Sequence, residues 1–223
     1  MNITVFGATG RTGSQIMRQA IDAGHRVTVV VRDPAGLAGA NPHRVITASV
    51  RTAPNEVLAE AVSGADAVLS ALGPRSRADI GIATAATTAI VRAMKAGDAR
   101  RIIVLSAAPV STTPSPGRPR PPRHDPGEGF VMRTVLTPMI QRVLSYNYAD
   151  LARMEDVLRD SGLDWTSVRP PQLTDKPRTG HYRTATEQNL RGGVRIARAD
   201  LADLMLNAIS QPETFGHAIG VAY

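Results

Sequence analysis

Three glycines near the start of the chain restrict its fold more than any other sequence feature. Gly7, Gly10 and Gly13 form the pattern G-x-x-G-x-x-G, directly after the apolar run 3–6. Residues 11–23 then carry apolar side chains at helical spacing, so the glycines join a buried strand to an amphipathic helix. Such a turn lets the backbone approach a pyrophosphate and leaves free N–H groups at the helix start to bind it. The spacing and its context predict a dinucleotide-binding unit.

Short apolar runs alternate with helical patterns along most of the remaining chain. Strands are predicted at 3–6, 27–31, 44–47, 67–69, 102–105, 164–168 and 218–222, with shorter candidates near 181–186 and 194–196; helices are predicted at 11–23, 54–62, 79–96, 130–160 and 199–209. Strands that are apolar on both faces and alternate with helices are typical of a parallel sheet covered on both sides. We therefore expect an α/β fold, with residues 1–223 forming a single Rossmann-type doubly wound parallel sheet and a small C-terminal cap on the substrate side.

Composition excludes several kinds of chemistry. The chain has no cysteine, which excludes disulfides, thiolate metal sites and a cysteine nucleophile. Its five histidines show no metal-ligand spacing, so no metal site is expected. No apolar run approaches the roughly 20 residues that cross a bilayer, and the first residues do not resemble a secretory signal. We expect a cytoplasmic monomer or weak homodimer that binds a small-molecule substrate, without a nucleic-acid or membrane partner.

The net charge of +7 is distributed unevenly. Residues 169–198 contain seven arginines and lysines but two acidic residues, and so hold most of the excess. The chain has no long basic block and few aromatic residues for base stacking, so we do not interpret the charge as nucleic-acid binding. A basic segment beside the predicted substrate pocket favours an anionic substrate.

A segment at 109–129 interrupts the alternating pattern with proline, glycine, serine, threonine and arginine. This composition is typical of a disordered linker, and equally of a mobile loop over an active site. Ligands bind beyond the C-terminal ends of the strands in such sheets, and the segment follows the predicted strand 102–105. Its location favours the lid, with further substrate-side elements at 130–150 and 170–198.

The end of the second strand indicates which dinucleotide is bound. NAD-binding sites usually place an acidic residue there, whereas this chain has Arg32 in the run VVVRD. Because a guanidinium binds phosphate through a planar pair of N–H groups, Arg32 points to the 2′-phosphate of NADPH. Arg11, in the glycine turn, is a candidate second contact. The adjacent Asp33 leaves NADH possible.

Four segments carry a family resemblance: GATGRTG, VVVRDP, RRIIVLSA and SGLDWTSVRPPQLTDKPRTGHYR. They resemble the atypical short-chain dehydrogenase/reductase superfamily, and within it NADPH-dependent flavin reductase, also called biliverdin-IXβ reductase, and its NAD(P)H-binding bacterial relatives. The resemblance covers nearly the whole chain except 109–145. It implies a Rossmann fold, NADP(H) as cofactor and oxidoreductase activity.

The resemblance also implies a set of cofactor contacts. The family often has Gly-Asp after the third strand, where this chain has Ala48-Ser49, so Ser49 is the candidate for a weaker adenine contact. The remaining contacts are Gly7, Thr9, Gly10, Arg11, Thr12 and Gly13 around the pyrophosphate, Arg32 at the 2′-phosphate, Ala71, Leu72 and Gly73 under the adenosine, and Ser106, Ala107, Pro170 and Pro171 around the nicotinamide.

The catalytic pair of standard short-chain dehydrogenases, Tyr-x-x-x-Lys, is absent. Tyr146 is followed four residues later by Asp150, and Tyr148 by Ala152. A proton must therefore come from another group or from water. Ser106 is the candidate for an orienting or proton-relaying hydroxyl, and a simple contact with the cofactor amide is the alternative.

Other residues are predicted to meet the substrate. Arg75 follows the predicted strand 67–69 and is a candidate for substrate binding and catalysis, and the further substrate candidates are His124, Tyr146, Tyr148, Leu173 and His181. The resulting hypothesis is an NADPH-dependent reductase of a planar, conjugated, anionic acceptor such as a flavin, a tetrapyrrole or a quinone. A tailoring enzyme acting on an aromatic polyketide-like substrate and a non-catalytic NADP(H)-sensing regulator are the alternatives.

Overall fold

A parallel sheet forms the centre of the molecule. The computed structural model describes residues 1–37, 39–74, 79–127 and 145–223. Ten strands are present in these ranges: β1 (Asn2–Phe6), β2 (Arg26–Val31), β3 (Arg44–Thr47), β4 (Ala67–Ser70), β5 (Arg101–Leu105), β6 (Asp164–Arg169), β7 (Gln172–Thr174), β8 (Arg183–Thr186), β9 (Arg195–Ala197) and β10 (His217–Ala222). Eight of them form one sheet in the order β3-β2-β1-β4-β5-β6-β10-β8. Strand β8 pairs antiparallel with β10, and the other pairs in this sheet are parallel.

Helices cover both faces of this sheet. They are α1 (Arg11–Asp22), α2 (Asn55–Val62), α3 (Ile82–Lys95), α4 (Ser145–Arg159) and α5 (Arg198–Asn207). Helices α1 and α5 bury one apolar core, and α2, α3 and α4 bury the other. Successive side chains of a strand point to opposite faces, so Val5 packs in the first core and Phe6 in the second. This arrangement confirms the predicted doubly wound α/β fold.

The C-terminal third contains a strand that the sequence did not predict. Gln172–Thr174 pairs in parallel with Arg195–Ala197, and the two form a separate two-stranded sheet. Each strand has three residues, too few to show an alternating pattern. No helix in the described part of the chain is long and apolar enough to cross a membrane.

The described part of the Pro/Arg-rich loop is packed against the domain. A 3-10 turn covers Ala108–Thr112, and the carboxylate of Asp156 on α4 then accepts hydrogen bonds from Ser115 Oγ and Gly117 N, both at 2.9 Å. This packing favours the lid alternative over a free linker, although a role over a substrate stays a prediction. The predicted helical stretch 130–144 and Arg75 lie outside the described residues.

Candidate functional site

The glycine turn after β1 is shaped by close backbone contacts. Gly7 has a φ of +81°, and a Cβ there would lie 2.9 Å from the carbonyl oxygen of Ala71. A Cβ on Gly13 would lie 2.1 Å from the carbonyl oxygen of Gly7. Helix α1 begins after Gly10 with no side-chain cap and no acidic residue in its first turn. Its first N–H groups are therefore available to an anion such as a pyrophosphate.

An open cleft of about 610 Å³ lies beyond the C-terminal ends of the first four strands. The strand order places these ends side by side, so that four loops line one cleft. The lining includes Gly7 and Thr9 after β1, Arg32 after β2, Ser49 and Arg51 after β3, and Leu72 and Gly73 after β4. The cleft thus brings together six of the predicted dinucleotide contacts. The other predicted contacts of this part of the site are not among its lining residues, namely Gly10, Arg11, Thr12, Gly13 and Ala71.

Two arginines enter this cleft from neighbouring loops. In the parallel pair β2–β3, Val31 lies opposite Thr47, and the loops that follow carry Arg32 and Arg51. Within the described ranges, neither guanidinium has an ion-pair partner. Arg51 was not among the predicted contacts, although its position two residues after Ser49 was a usable signal. Two unpaired guanidiniums in one cleft suit a phosphate dianion.

The acidic residue next to Arg32 has a different role. Asp33 Oδ1 accepts a hydrogen bond from Ala35 N at 2.9 Å and so holds the start of the 3-10 turn Pro34–Leu37. Asp33 is not among the residues that line the cleft. The acidic residue that does line the cleft is Asp79, from the segment between β4 and α3.

The ends of β5 and β6 form the second part of the site. Ser106 N donates to Val168 O at 2.8 Å, and Ala108 N donates to Pro170 O at 2.9 Å. These bonds place the predicted nicotinamide contacts, Ser106, Ala107, Pro170 and Pro171, side by side. Ser106 is buried, and its hydroxyl donates to Glu155 Oε1 at 2.9 Å.

Glu155 is the centre of a buried network that the sequence did not reveal. Its Oε1 also accepts from Ser167 Oγ at 2.8 Å and Arg169 Nε at 2.9 Å, and its Oε2 accepts from Arg159 and from Arg169. Burial alone would raise the pKa of Glu155, but the hydrogen bonds and charges of Arg169, with Arg159 and Ser167, bring it below its usual range. Burial lowers the pKa of Arg169 and Glu155 raises it, with a net increase. The pair is therefore charged.

The basic segment is less positive in the structure than in the sequence. Arg169 pairs with Glu155, Arg178 pairs with Asp203, and Arg198 pairs with Asp175. Asp175 also pairs with Arg11, which ties the glycine turn to the chain that follows β7. These ion pairs weaken the expectation that the whole segment attracts an anionic substrate.

Asp150 has a structural role. Asp150 is buried, and its carboxylate accepts from Ala83 N at 3.0 Å and from Thr84 N at 3.1 Å, at the start of α3. Thr84 Oγ1 adds a bond at 2.6 Å. An anion at the N-terminus of a helix satisfies free N–H groups and complements the helix dipole. Asp150, four residues after Tyr146, therefore caps helix α3.

The predicted substrate contacts are dispersed. Tyr146 is 75% exposed at the start of α4, and Tyr148 is half-buried, which raises the pKa of its hydroxyl. His124 and His181 are exposed on loops, and Leu173 is half-buried in β7. Their roles toward a substrate stay predictions.

The fold, the glycine turn and the two-arginine cleft define a dinucleotide-binding Rossmann protein. The sequence profile of the family described as NAD(P)H-binding matches residues 7–212, and the chain belongs to that family. NAD(P)H is therefore the cofactor of this site, and the glycine turn with its free helix N-terminus fits its pyrophosphate.

Relatives match along nearly the whole chain. The uncharacterised protein YwnB of Bacillus subtilis is 24% identical over 219 residues, which cover 96% of this chain and 94% of YwnB. An uncharacterised chloroplastic protein of Arabidopsis thaliana, At2g34460, is 24% identical over 95% of this chain and 73% of its own length.

Solved structures share the fold. A candidate NADH-flavin reductase from Streptococcus pneumoniae has a TM-score of 0.74 at 21% identity, covering 100% of this chain and 99% of that one. A short-chain dehydrogenase/reductase from Veillonella parvula in complex with NADP has a TM-score of 0.74 at 18% identity, covering 100% and 94%. A protein from Burkholderia pseudomallei described as a candidate exported protein has a TM-score of 0.74 at 27% identity, with full coverage of both chains. The cytoplasmic location of this chain stays a prediction.

Proposed function

We propose that this protein is an NADPH-dependent reductase of a planar conjugated acceptor, of which flavins, tetrapyrroles and quinones are the classes to test. The observation that carries the proposal is the cleft in which Arg32 and Arg51 lie without a carboxylate partner among the described residues. NADPH differs from NADH by a 2′-phosphate, which is the group that two unpaired guanidiniums would bind. The capping role of Asp33 supports the same choice.

Each part of the site has a role in this proposal. The turn from Gly7 to Gly13 and the start of α1 would hold the pyrophosphate, and the ends of β5 and β6 would orient the nicotinamide. Bound NADPH supplies a hydride, and the reduced acceptor also takes up one proton. The sequence has no Tyr-x-x-x-Lys pair to donate it: Asp150 follows Tyr146 by four residues and caps α3 instead. Orientation of the two reactants is then the main contribution of the protein.

NADPH oxidation, followed by its absorbance, tests the proposal with a flavin, a bilin and a quinone as acceptors. We expect turnover with at least one class and a clear preference for NADPH over NADH. A hydrogen bond to a charged group contributes about 1.5–3 kcal/mol, so Arg32→Ala or Arg51→Ala should raise the KM for NADPH by about 10- to 100-fold. The KM for NADH should not change in these variants.

The controls separate three outcomes. Asp33→Ala should leave the preference for NADPH intact, because its carboxylate bonds Ala35 N rather than the cleft. Equal use of NADH and NADPH by the unaltered protein would reject the 2′-phosphate assignment. Tight NADP(H) binding without turnover of any acceptor would reject the reductase and favour the regulator.

A further inference from the structure

The hydroxyl of Ser106 is hydrogen-bonded to the carboxylate of Glu155. Ser106 Oγ lies 2.9 Å from Glu155 Oε1, and its backbone N–H is already bonded to Val168 O at 2.8 Å. A serine hydroxyl has one hydrogen to donate and two lone pairs with which to accept. The direction of the bond to Glu155 therefore decides what Ser106 can offer to a ligand.

Glu155 can accept hydrogen bonds but cannot donate them. Its side chain is 0% exposed, and each of its oxygens faces donors: Ser106, Ser167 and Arg169 on Oε1, and Arg159 and Arg169 on Oε2. An ionised carboxylate has no hydrogen to give. Ser106 must therefore donate its hydroxyl hydrogen to Glu155, and only its lone pairs remain available to another partner.

We propose that Glu155 is a positioning residue that makes Ser106 a hydrogen-bond acceptor for an N–H group of the bound dinucleotide, namely the carboxamide of NADPH. This inference rests on the proposed function. Ser106 follows the last residue of β5 and is bonded to Val168 near the end of β6, where the nicotinamide is expected. It follows that Ser106 does not give a proton to the substrate.

Ser167 provides a matched control inside the protein. Its hydroxyl donates to the same oxygen of Glu155 at 2.8 Å, but it lies within β6 and is 0% exposed. Loss of either hydroxyl removes one bond from the carboxylate. Only loss of Ser106 should alter the binding of a nicotinamide.

Two oxidised nucleotides test whether Ser106 accepts a hydrogen bond from the carboxamide N–H group. NADP⁺ has a carboxamide, whereas its 3-acetylpyridine analogue keeps the carbonyl oxygen and has no N–H. Calorimetric titration should show that the protein binds NADP⁺ more tightly than the analogue. One net hydrogen bond contributes about 0.5–1.5 kcal/mol, which corresponds to a ratio of about 2- to 12-fold. Ser106→Ala should bring the ratio of the two dissociation constants close to one, and Ser167→Ala should keep it.

A double variant tests the positioning role of Glu155. Glu155→Leu combined with Arg169→Met replaces the buried ion pair by apolar side chains and releases the hydrogen of Ser106. The ratio of the two dissociation constants should then fall, because the released hydroxyl of Ser106 can donate to the carbonyl oxygen of either nucleotide. An unchanged ratio in this folded double variant would refute the positioning role of Glu155. If the double variant does not fold, the two serine variants still decide whether Ser106 accepts.

The outcomes distinguish the two proposals. Failure of the unaltered protein to bind either nucleotide would refute the proposed function and this inference with it. Binding of both nucleotides with equal affinity would leave the proposed function intact and refute the inference. An unchanged ratio in Ser106→Ala would also refute it.

Discussion

Removing the carboxylate of Glu155 should destabilise this protein more than most single substitutions. In Glu155→Leu, the guanidinium of Arg169 would remain 2% exposed without its counter-charge. Breaking a buried ion pair by removing one partner costs about 3–5 kcal/mol. Domains of this kind have a free energy of unfolding of about 5–15 kcal/mol, so the variant would lose a large part of it.

The double variant Glu155→Leu/Arg169→Met should recover most of that loss. Replacing both partners of a buried ion pair by apolar residues is often neutral or stabilising. In this protein the hydroxyls of Ser106 and Ser167 would lose their acceptor, at about 1 kcal/mol each. We therefore expect the double variant to be up to about 2 kcal/mol less stable than the unaltered protein, and clearly more stable than Glu155→Leu.

Urea unfolding measures these differences, and the chain contains its own probe. Trp165 is the single tryptophan of the sequence, lies on β6 two residues before Ser167, and is 7% exposed. Its fluorescence should follow the loss of tertiary structure around the network. If the double variant is as unstable as Glu155→Leu, the uncompensated charge of Arg169 is not the cause of the lost unfolding free energy.

The dependence on pH gives an independent check. The folded protein holds the pKa of Glu155 below its unfolded value of about 4.3. The resulting stabilisation is present above the unfolded pKa and is lost as the pH falls through the folded pKa. The stability difference between the unaltered protein and the double variant should therefore shift in favour of the double variant below about pH 4. A difference that is constant from pH 7 to pH 3 would contradict this.

Three further predictions concern other parts of the structure. Gly13→Ala should weaken NADP⁺ binding by more than 10-fold in a titration, because its Cβ would lie 2.1 Å from Gly7 O, whereas Gly97→Ala, with nothing within 4 Å, should bind normally. Asp150→Ala should lower the free energy of unfolding by about 1–2 kcal/mol through loss of the α3 cap, and Asp150→Asn, which keeps one acceptor oxygen, by less; equal urea midpoints would contradict the capping role. Asp156→Ala should speed tryptic cleavage after Arg123, because the turn at Ser115 and Gly117 loses the carboxylate that accepts its hydrogen bonds. Arg123 is the one arginine of 109–127 that is not followed by proline, so trypsin can cleave there. Asp160→Ala is the control, and an equal cleavage rate in the two variants would show that Asp156 does not hold the loop.

Local sequence patterns were sufficient for the fold and for the prediction that Arg32 and Ser49 follow neighbouring strands and line one cleft. The strands around Val5 and Val29 are β-branched, apolar and short, and each is followed by a turn or helix signal. The three glycines of the turn lie within seven residues, so their spacing is visible in the sequence, whereas the close approach of Gly7 to Ala71 is not. Arg32 could be predicted because its position relative to the second strand is fixed by the fold.

The remaining features depend on contacts between distant segments. Glu155 and Arg169 meet only because α4 packs on β6, and in the sequence each looks like an ordinary surface charge. The absence of a lysine at Asp150 was evident, but its capping role required α3 and α4 to lie side by side. Pairing of β7 with β9 joins residues more than twenty positions apart, which no local pattern encodes.

The cap formed by Asp150 also bears on attempts to redesign this chain. Substituting lysine at this position, in order to restore a proton-donating pair with Tyr146, would place a cation at the positive end of α3 and leave Ala83 N and Thr84 N without their acceptor. One substitution would thus gain a catalytic group and lose a helix start. A design that introduces lysine at position 150 therefore needs a new cap for α3 beforehand, so the two changes have to be made in that order.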